Sequence, residues 1–210
     1  MIVDGESLLI EDVINVARKH EKVEISEEVR DKVEKSRKII EKILEEGKPI
    51  YGVNTGFGEL ANVRISNEKI EELQENLIRS HACGVGDALD EDLARAVMLL
   101  RLNSLAKGYS GVRYEVLEKI AEVLNKNFYP FIPSQGSVGA SGDLAPLAHF
   151  ALALIGEGDA FYDGEIVKAR EAMDKLGIKP LKLKAKEGIA LINGCQFMAA
   201  VACLAYYDAC

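Results

Sequence analysis

Residues 134–156 read SQGSVGASGDLAPLAHFALALIG, a glycine-rich loop that runs directly into an apolar helix. The spacing predicts helix from Leu144, because Leu144, Leu147, Ala148 and Ala151 fall on one face. Pro146 is compatible with a first turn, where its missing N–H has no intrahelical partner. Asp143 stands where a cap is wanted and supports the loop before it. His149 lies about two turns in, at a position read as structural. Gly139-Ala140-Ser141-Gly142-Asp143 resembles a nucleophile elbow but fails G-x-S-x-G, since Asp143 takes the last glycine's place.

The tripeptide Ala140-Ser141-Gly142 admits an unusual chemistry. A bend that brings the Gly142 nitrogen to the Ala140 carbonyl closes a five-membered ring. Gly142 lacks a Cβ and tolerates strained backbone angles, and Ala140 is too small to obstruct the approach. Loss of water from the ring, and of the Ser141 hydroxyl, leaves a conjugated methylidene, an electrophile that no ordinary side chain offers. Taken alone, the same three residues are also a common loop tripeptide.

Outward from this loop the pattern is helical. Leu9, Ile10, Val13, Ile14 and Ala17 share a face over 9–19. Ser26 precedes a helix carrying Val29, Val33, Ile40 and Leu44, stopped by Gly47 and Pro49. Its alternating Glu and Lys form a solvated face with i,i+4 support. Residues 50–65 break the rhythm and predict a long loop, the kind that carries function among helices. Ser66 is read as the cap of a helix with Ile70, Leu73, Leu77 and Ile78. Further helices are predicted over 90–106 and 112–125, ended by Pro130 and Pro133. Asp163-Gly164, between short extended pieces, predicts a type I′ hairpin. A short helix near 169–176, a linker around Pro180 and a last helix from 187 to Cys210 complete the chain. That helix ends without a cap, so the chain reads as cut: a region 1–186 carrying the loop, and 187–210 as the start of a truncated helical bundle.

Composition narrows the classes. An apolar share of 48% supports a core, and only 6% aromatic residues with no Trp favours Ala- and Leu-rich helix packing over a β-sandwich. A formal charge of −8 argues against a phosphate-binding surface, hence against nucleic acid. Gly56-Phe57-Gly58 followed by Ala61 loosely fits G-x-G-x-x-A, but that fingerprint needs a βαβ unit and helices flank it. The four cysteines and three histidines have no zinc spacing, so no metal is expected. Without an evident leader, a reducing cytoplasm is the expected compartment. Gly188–Tyr207, interrupted by Asn193, Gly194 and Gln196, is read as a buried helix, not a membrane span.

Several long motifs, in order, identify the chain as similar to the aromatic amino-acid ammonia-lyases and aminomutases. They are YGVNTGFG at 51–58, SHACGVG at 80–86, GSVGASGDLAPLAH at 136–149, GEGDAFYDGE at 156–165 and LKAKEGIALINGCQFM at 183–198. The resemblance implies a mainly α, ammonia-lyase-type helical fold with a small β-hairpin. It further implies a 4-methylidene-imidazole-5-one (MIO) group built from Ala140, Ser141 and Gly142. Tyr51 matches the base that removes the substrate β-proton; a phenol, ordinarily near pKa 10, needs help to do so. Asn193 matches the amide that positions the substrate amine and the MIO, and is otherwise a helix cap or a buried hydrogen-bond partner.

Ser80-His81 matches the pair facing the substrate side chain, and Ser-His resembles the histidine-selective group. An imidazole substrate needs polar partners, and His81 can donate or accept at neutral pH. The implied reaction is deamination of L-histidine to trans-urocanate and ammonia, with no metal. The alternatives are a phenylalanine or tyrosine lyase, an aminomutase, or a fragment serving only as a helical assembly module. Two departures stand out: Cys195 where Thr is more usual, and Ser134-Gln135 where a charged pair is more usual. The resemblance also implies a homotetramer whose composite site draws on residues beyond 210, including the arginine for the substrate carboxylate. The isolated chain is therefore expected to be inactive.

Overall fold

The computed structural model describes residues 1–56, 63, 65–66, 69–138 and 142–210. The first helix, α1 (Ile10–Lys19), buries Val13, Ile14, Val16 and Ala17. It connects two short parallel strands, β1 (Ile2–Val3) and β2 (Glu24–Ile25), which the sequence pattern did not announce. Helix α2 (Glu27–Glu46) buries Val29, Val33, Arg37 and Ile40 at near-regular helical spacing and stops at left-handed Gly47. Ser26 holds the N-cap position there, but its side chain makes no cap hydrogen bond.

Helix α3 spans Ile70–His81 with Lys69, not Ser66, at its N-cap. Ser66 instead accepts the Lys69 N–H through its carbonyl at 2.9 Å. Strand β3 (Val85–Ala88) follows, then α4 (Glu91–Ala106), whose buried residues surround it almost completely. A helix hydrophobic all round belongs at the centre of a core, and α4 packs against α1, α5 (Tyr114–Asn125) and the last helix. Arg95, 1% exposed, sits in this helix and donates to the carbonyls of Val16 and Leu124. One buried guanidinium thus bonds a carbonyl in the last turn of both α1 and α5.

Strands β4 (Tyr129–Pro130) and β5 (Pro133–Gln135) each include one of the two prolines. β5 pairs antiparallel with β3, while β4 joins the hairpin β6 (Asp159–Tyr162) and β7 (Glu165–Lys168) in the order β4-β6-β7. Asp163 and Gly164 both have positive φ, 53° and 79°, as a type I′ turn requires. Helix α6 (Leu144–Leu154) and helix α7 (Ala169–Leu176) fall where the periodicity predicts them.

The last predicted helix is in fact two. α8 (Glu187–Ile192) ends at extended Asn193, and α9 (Gln196–Ala209) begins after Cys195. The whole stretch Glu187–Ala209 is long and apolar enough to cross a membrane by composition, yet the backbone is interrupted at its centre. Burial is also less than the sequence suggested. α8 is largely buried, whereas α9 buries only Ala200 and Leu204 and exposes Met198, Val201, Tyr206 and Tyr207.

Candidate active site

The N-terminus of α6, the break between α8 and α9, and the packed trio α3, α6 and α8 form one region. α3 and α8 approach closely at Gly188: a Cβ there would stand 2.7 Å from the Gln74 carbonyl oxygen. Gln74, fully buried, accepts the N–H groups of Gly188 at 2.9 Å and Ile189 at 3.4 Å through Oε1. It thereby serves the open N-terminal donors of α8 from a neighbouring helix. Glu187 is also fully buried and takes Arg113 Nε and Nη2, both at 2.9 Å, in a bidentate pair. It also accepts the backbone N–H groups of Arg113 and Lys184.

At the break, Asn193 and Gly142 meet. A Cβ on Gly142 would lie 3.1 Å from Asn193 Oδ1 and 3.5 Å from the Gly194 nitrogen. The Gly142 φ lies outside the left-handed region, so the close approach, and not the backbone angle, is what favours glycine here. Ala140 and Ser141 lie outside the described residues. Asp143, 1% exposed, does not cap its own helix as expected. Its carboxylate instead accepts the Ser137 hydroxyl at 2.6 Å and the Met198 N–H at 3.0 Å, in the first turn of α9. Its own N–H donates to the Gly194 carbonyl at 2.7 Å. Asp143 therefore ties the loop, the break and α9 together.

Arg101, missed in the sequence, closes the other side of the break. It is 3% exposed and donates to the carbonyls of Ala190 and Asn193 and to Gln196 Oε1. Burial lowers its pKa to about 10, so it remains charged at neutral pH. An arginine inside the apolar run LARAVMLLRLNSLA was the available signal, since a buried charge demands partners.

Tyr51 opens the turn at 51–54 and is 58% exposed. Buried Asn54 pins this turn by accepting the Ile50 N–H and donating to the Lys48 carbonyl. Gly52, at φ 75°, faces Ile189 of α8, which a Cβ would meet at 3.6 Å. The turn carrying Tyr51 is thus seated on the helix that leads to Asn193.

Ser80 and His81 end α3, and their hydrogen bonds stay within that helix. The Ser80 hydroxyl donates to the Leu77 carbonyl at 2.8 Å; His81 Nδ1 is also 2.8 Å from that oxygen and 3.0 Å from Ser80 Oγ. A carbonyl can only accept, so in this contact Nδ1 is the donor, which leaves Nε2 for another partner. His149, read as structural, accepts the Gly84 N–H through Nε2 at 3.0 Å, and burial lowers its pKa.

The scaffold is mainly helical and brings Gly142 against Asn193 in the break between α8 and α9. Residues 8–210 match the family described as aromatic amino acid lyase, and the chain belongs to that family. It is 52% identical over 209 residues to histidine ammonia-lyase of Alkaliphilus oremlandii, covering 100% of this chain and 41% of that protein. With histidine ammonia-lyase of Streptococcus gordonii it shares 55% over 207 residues, 99% of this chain and 40% of that protein. Among solved structures, tyrosine aminomutase from Streptomyces globisporus is 46% identical with a TM-score of 0.91, covering 97% of this chain and 38% of that one. Histidine ammonia-lyase from Trypanosoma cruzi is 40% identical with a TM-score of 0.90, over 97% and 39% respectively. The chain therefore spans about two fifths of the length of these relatives.

Proposed function

We propose that this chain carries the N-terminal share of a histidine ammonia-lyase site, with MIO formed from Ala140, Ser141 and Gly142. The observation that carries the reading is the approach of Gly142 to Asn193, where a Cβ would stand a tight 3.1 Å from Oδ1. The described residues fit the group: a glycine, an amide beside it, and, on the residue that follows the glycine, a buried carboxylate that holds Ser137 and the start of α9. MIO supplies an electrophilic methylidene that takes up the substrate amine and makes it a better leaving group.

The chain's own residues do the remainder. Tyr51, exposed on a turn pinned by Asn54, is the acceptor for the substrate β-proton. His81 offers Nε2 to an imidazole N–H of the substrate while Ser80 and Leu77 fix the ring through Nδ1. Asn193 orients the amine, and Asp143 supports the loop from behind. Residues 187–210 begin the central helical bundle of a cytoplasmic homotetramer, whose other segments complete the site and hold the substrate carboxylate. The names of the relatives at 52% and 55% identity support L-histidine as substrate and trans-urocanate as product.

A second reading within the family has one observation in its favour, the 46% identity to a tyrosine aminomutase. Steady-state assays of histidine, tyrosine and phenylalanine on the full-length protein separate the two. Turnover of tyrosine without histidine would reverse the substrate assignment. Intact mass separates both from a catalytically inert assembly module. Ring closure and dehydration remove two waters, and an unmodified mass would exclude MIO.

A further inference from the structure

The geometry points to Arg101 as the positioning residue that holds Asn193 against Gly142. This role rests on the histidine-lyase reading above and adds a residue to it. Arg101 comes from α4, near the centre of the core, while the groups it binds all flank the α8–α9 break. The Ala190 carbonyl belongs to the last turn of α8 and the Asn193 carbonyl follows it, so neither has an intrahelical donor ahead of it. Nη2 donates to both, at 3.2 Å for Asn193, and Nη1 donates to Gln196 Oε1 at 2.7 Å on the first residue of α9. One planar group therefore fixes the end of α8, the peptide after Asn193 and the start of α9.

Gly194 fits the same account. A Cβ there would collide with Arg101 Nη1 and Gln196 Oε1, so the guanidinium fills the space that the glycine leaves. With the Asn193 carbonyl held by Arg101 on one side and the Gly194 carbonyl accepting the Asp143 N–H on the other, the backbone that carries the Asn193 side chain is held at both peptides. Among the described residues no carboxylate pairs with Arg101, and its Nε–H has no acceptor. A cation placed in the core without a counter-ion is expensive as a stability device. Its geometry is better explained by what it orients.

The test uses the full-length protein with Arg101→Met, Arg101→Lys and Gly194→Ala. Thermal stability, intact mass, kcat and KM for histidine, and exchange of the Asn193–Gly194 amides are measured on each. A misplacement of about 1 Å at a catalytic group costs about 100-fold in rate, so Arg101→Met is expected to lose about that much in kcat with KM little changed. Lysine keeps the charge but cannot span three acceptors, so Arg101→Lys is expected to recover only part of kcat. A purely structural role would lower the melting temperature and leave kcat per folded site unchanged, which would overturn the proposal. If the Met variant does not fold, parental kcat in both Arg101→Lys and Gly194→Ala would overturn it equally. A parental protein that neither loses two waters nor turns over histidine overturns the function and this role together; a working parent with a fully active Arg101→Met overturns this role alone.

Discussion

Replacing Asp143 probes the junction between the loop and the last helix most directly. Its buried carboxylate accepts two hydrogen bonds, from Ser137 Oγ at 2.6 Å and from the Met198 amide at 3.0 Å. A hydrogen bond to a charged group contributes about 1.5–3 kcal/mol, so Asp143→Leu forfeits about 3–6 kcal/mol. It also strands the Met198 N–H at the start of α9. Asp143→Asn behaves differently. Its oxygen can still accept from Met198, and its NH₂ can donate to the Ser137 oxygen, which accepts as readily as it donates. Charge assistance roughly doubles such bonds, so the asparagine loses about half as much, less whatever burial of the charge had cost. Hydrogen exchange of the peptide covering the first turn of α9 reads the local effect. At about 1.4 kcal/mol per decade, loss of the Met198 bond speeds exchange by about 10- to 150-fold in the leucine variant. The asparagine variant is expected to show about a tenfold change or less. Parental exchange in Asp143→Leu, or equal effects of the two substitutions, would refute the reasoning.

Three further outcomes follow from other parts of the molecule. Burial holds His149 below its ordinary value of 6.5 while Nε2 accepts the Gly84 N–H, so the neutral ring is the native form. The stability it contributes is complete above the unfolded value near 6.5 and is lost as pH falls through the lower native pKa; urea unfolding from pH 7 to 5 measures the slope, and His149→Gln is expected to flatten it. Gly188→Ala places a Cβ 2.7 Å from the Gln74 carbonyl. Overpacking of that kind costs about 1–3 kcal/mol, or about 2–4 °C in melting temperature per kcal/mol, and an unchanged melting curve would contradict the packing described. His81→Leu removes the acceptor offered to the substrate ring and is expected to lower kcat/KM for histidine by about tenfold or more. Unchanged histidine kinetics would remove His81 from the pocket.

Much of this architecture was readable from spacing. The face of α2, the stop at Gly47, the hairpin at Asp163-Gly164 and the start of α6 follow from local rules that the tertiary structure does not override; the face expected for α1 holds at Val13, Ile14 and Ala17, but Leu9 is exposed and Val16 is buried. What was not readable depends on contacts distant in sequence. Ser66 loses the N-cap position to Lys69, and Asp143 turns its carboxylate away from its own helix toward one that begins more than 50 residues later. Two-residue strands such as β1 and β2 carry no period long enough to detect. The apolar run after Glu187 hid its own break, because Asn193-Gly194-Cys195 interrupts a helix only once Arg101 and Asp143 are there to take its carbonyls. For the site, the motifs singled out Gly142 and Asn193 as participants, and the fold places them together. Arg101 belongs to no local motif, and its position in an apolar helix was the only trace it left.

The shared volume at Arg101 and Gly194 has an evolutionary consequence. A Cβ at 194 and the guanidinium cannot coexist without movement, so each residue constrains the substitutions permitted at the other. A lineage that lost the arginine would ease the entry of a side chain at 194, and one that gained a side chain at 194 would have to move the guanidinium. Variation at the two positions is therefore expected to be coupled.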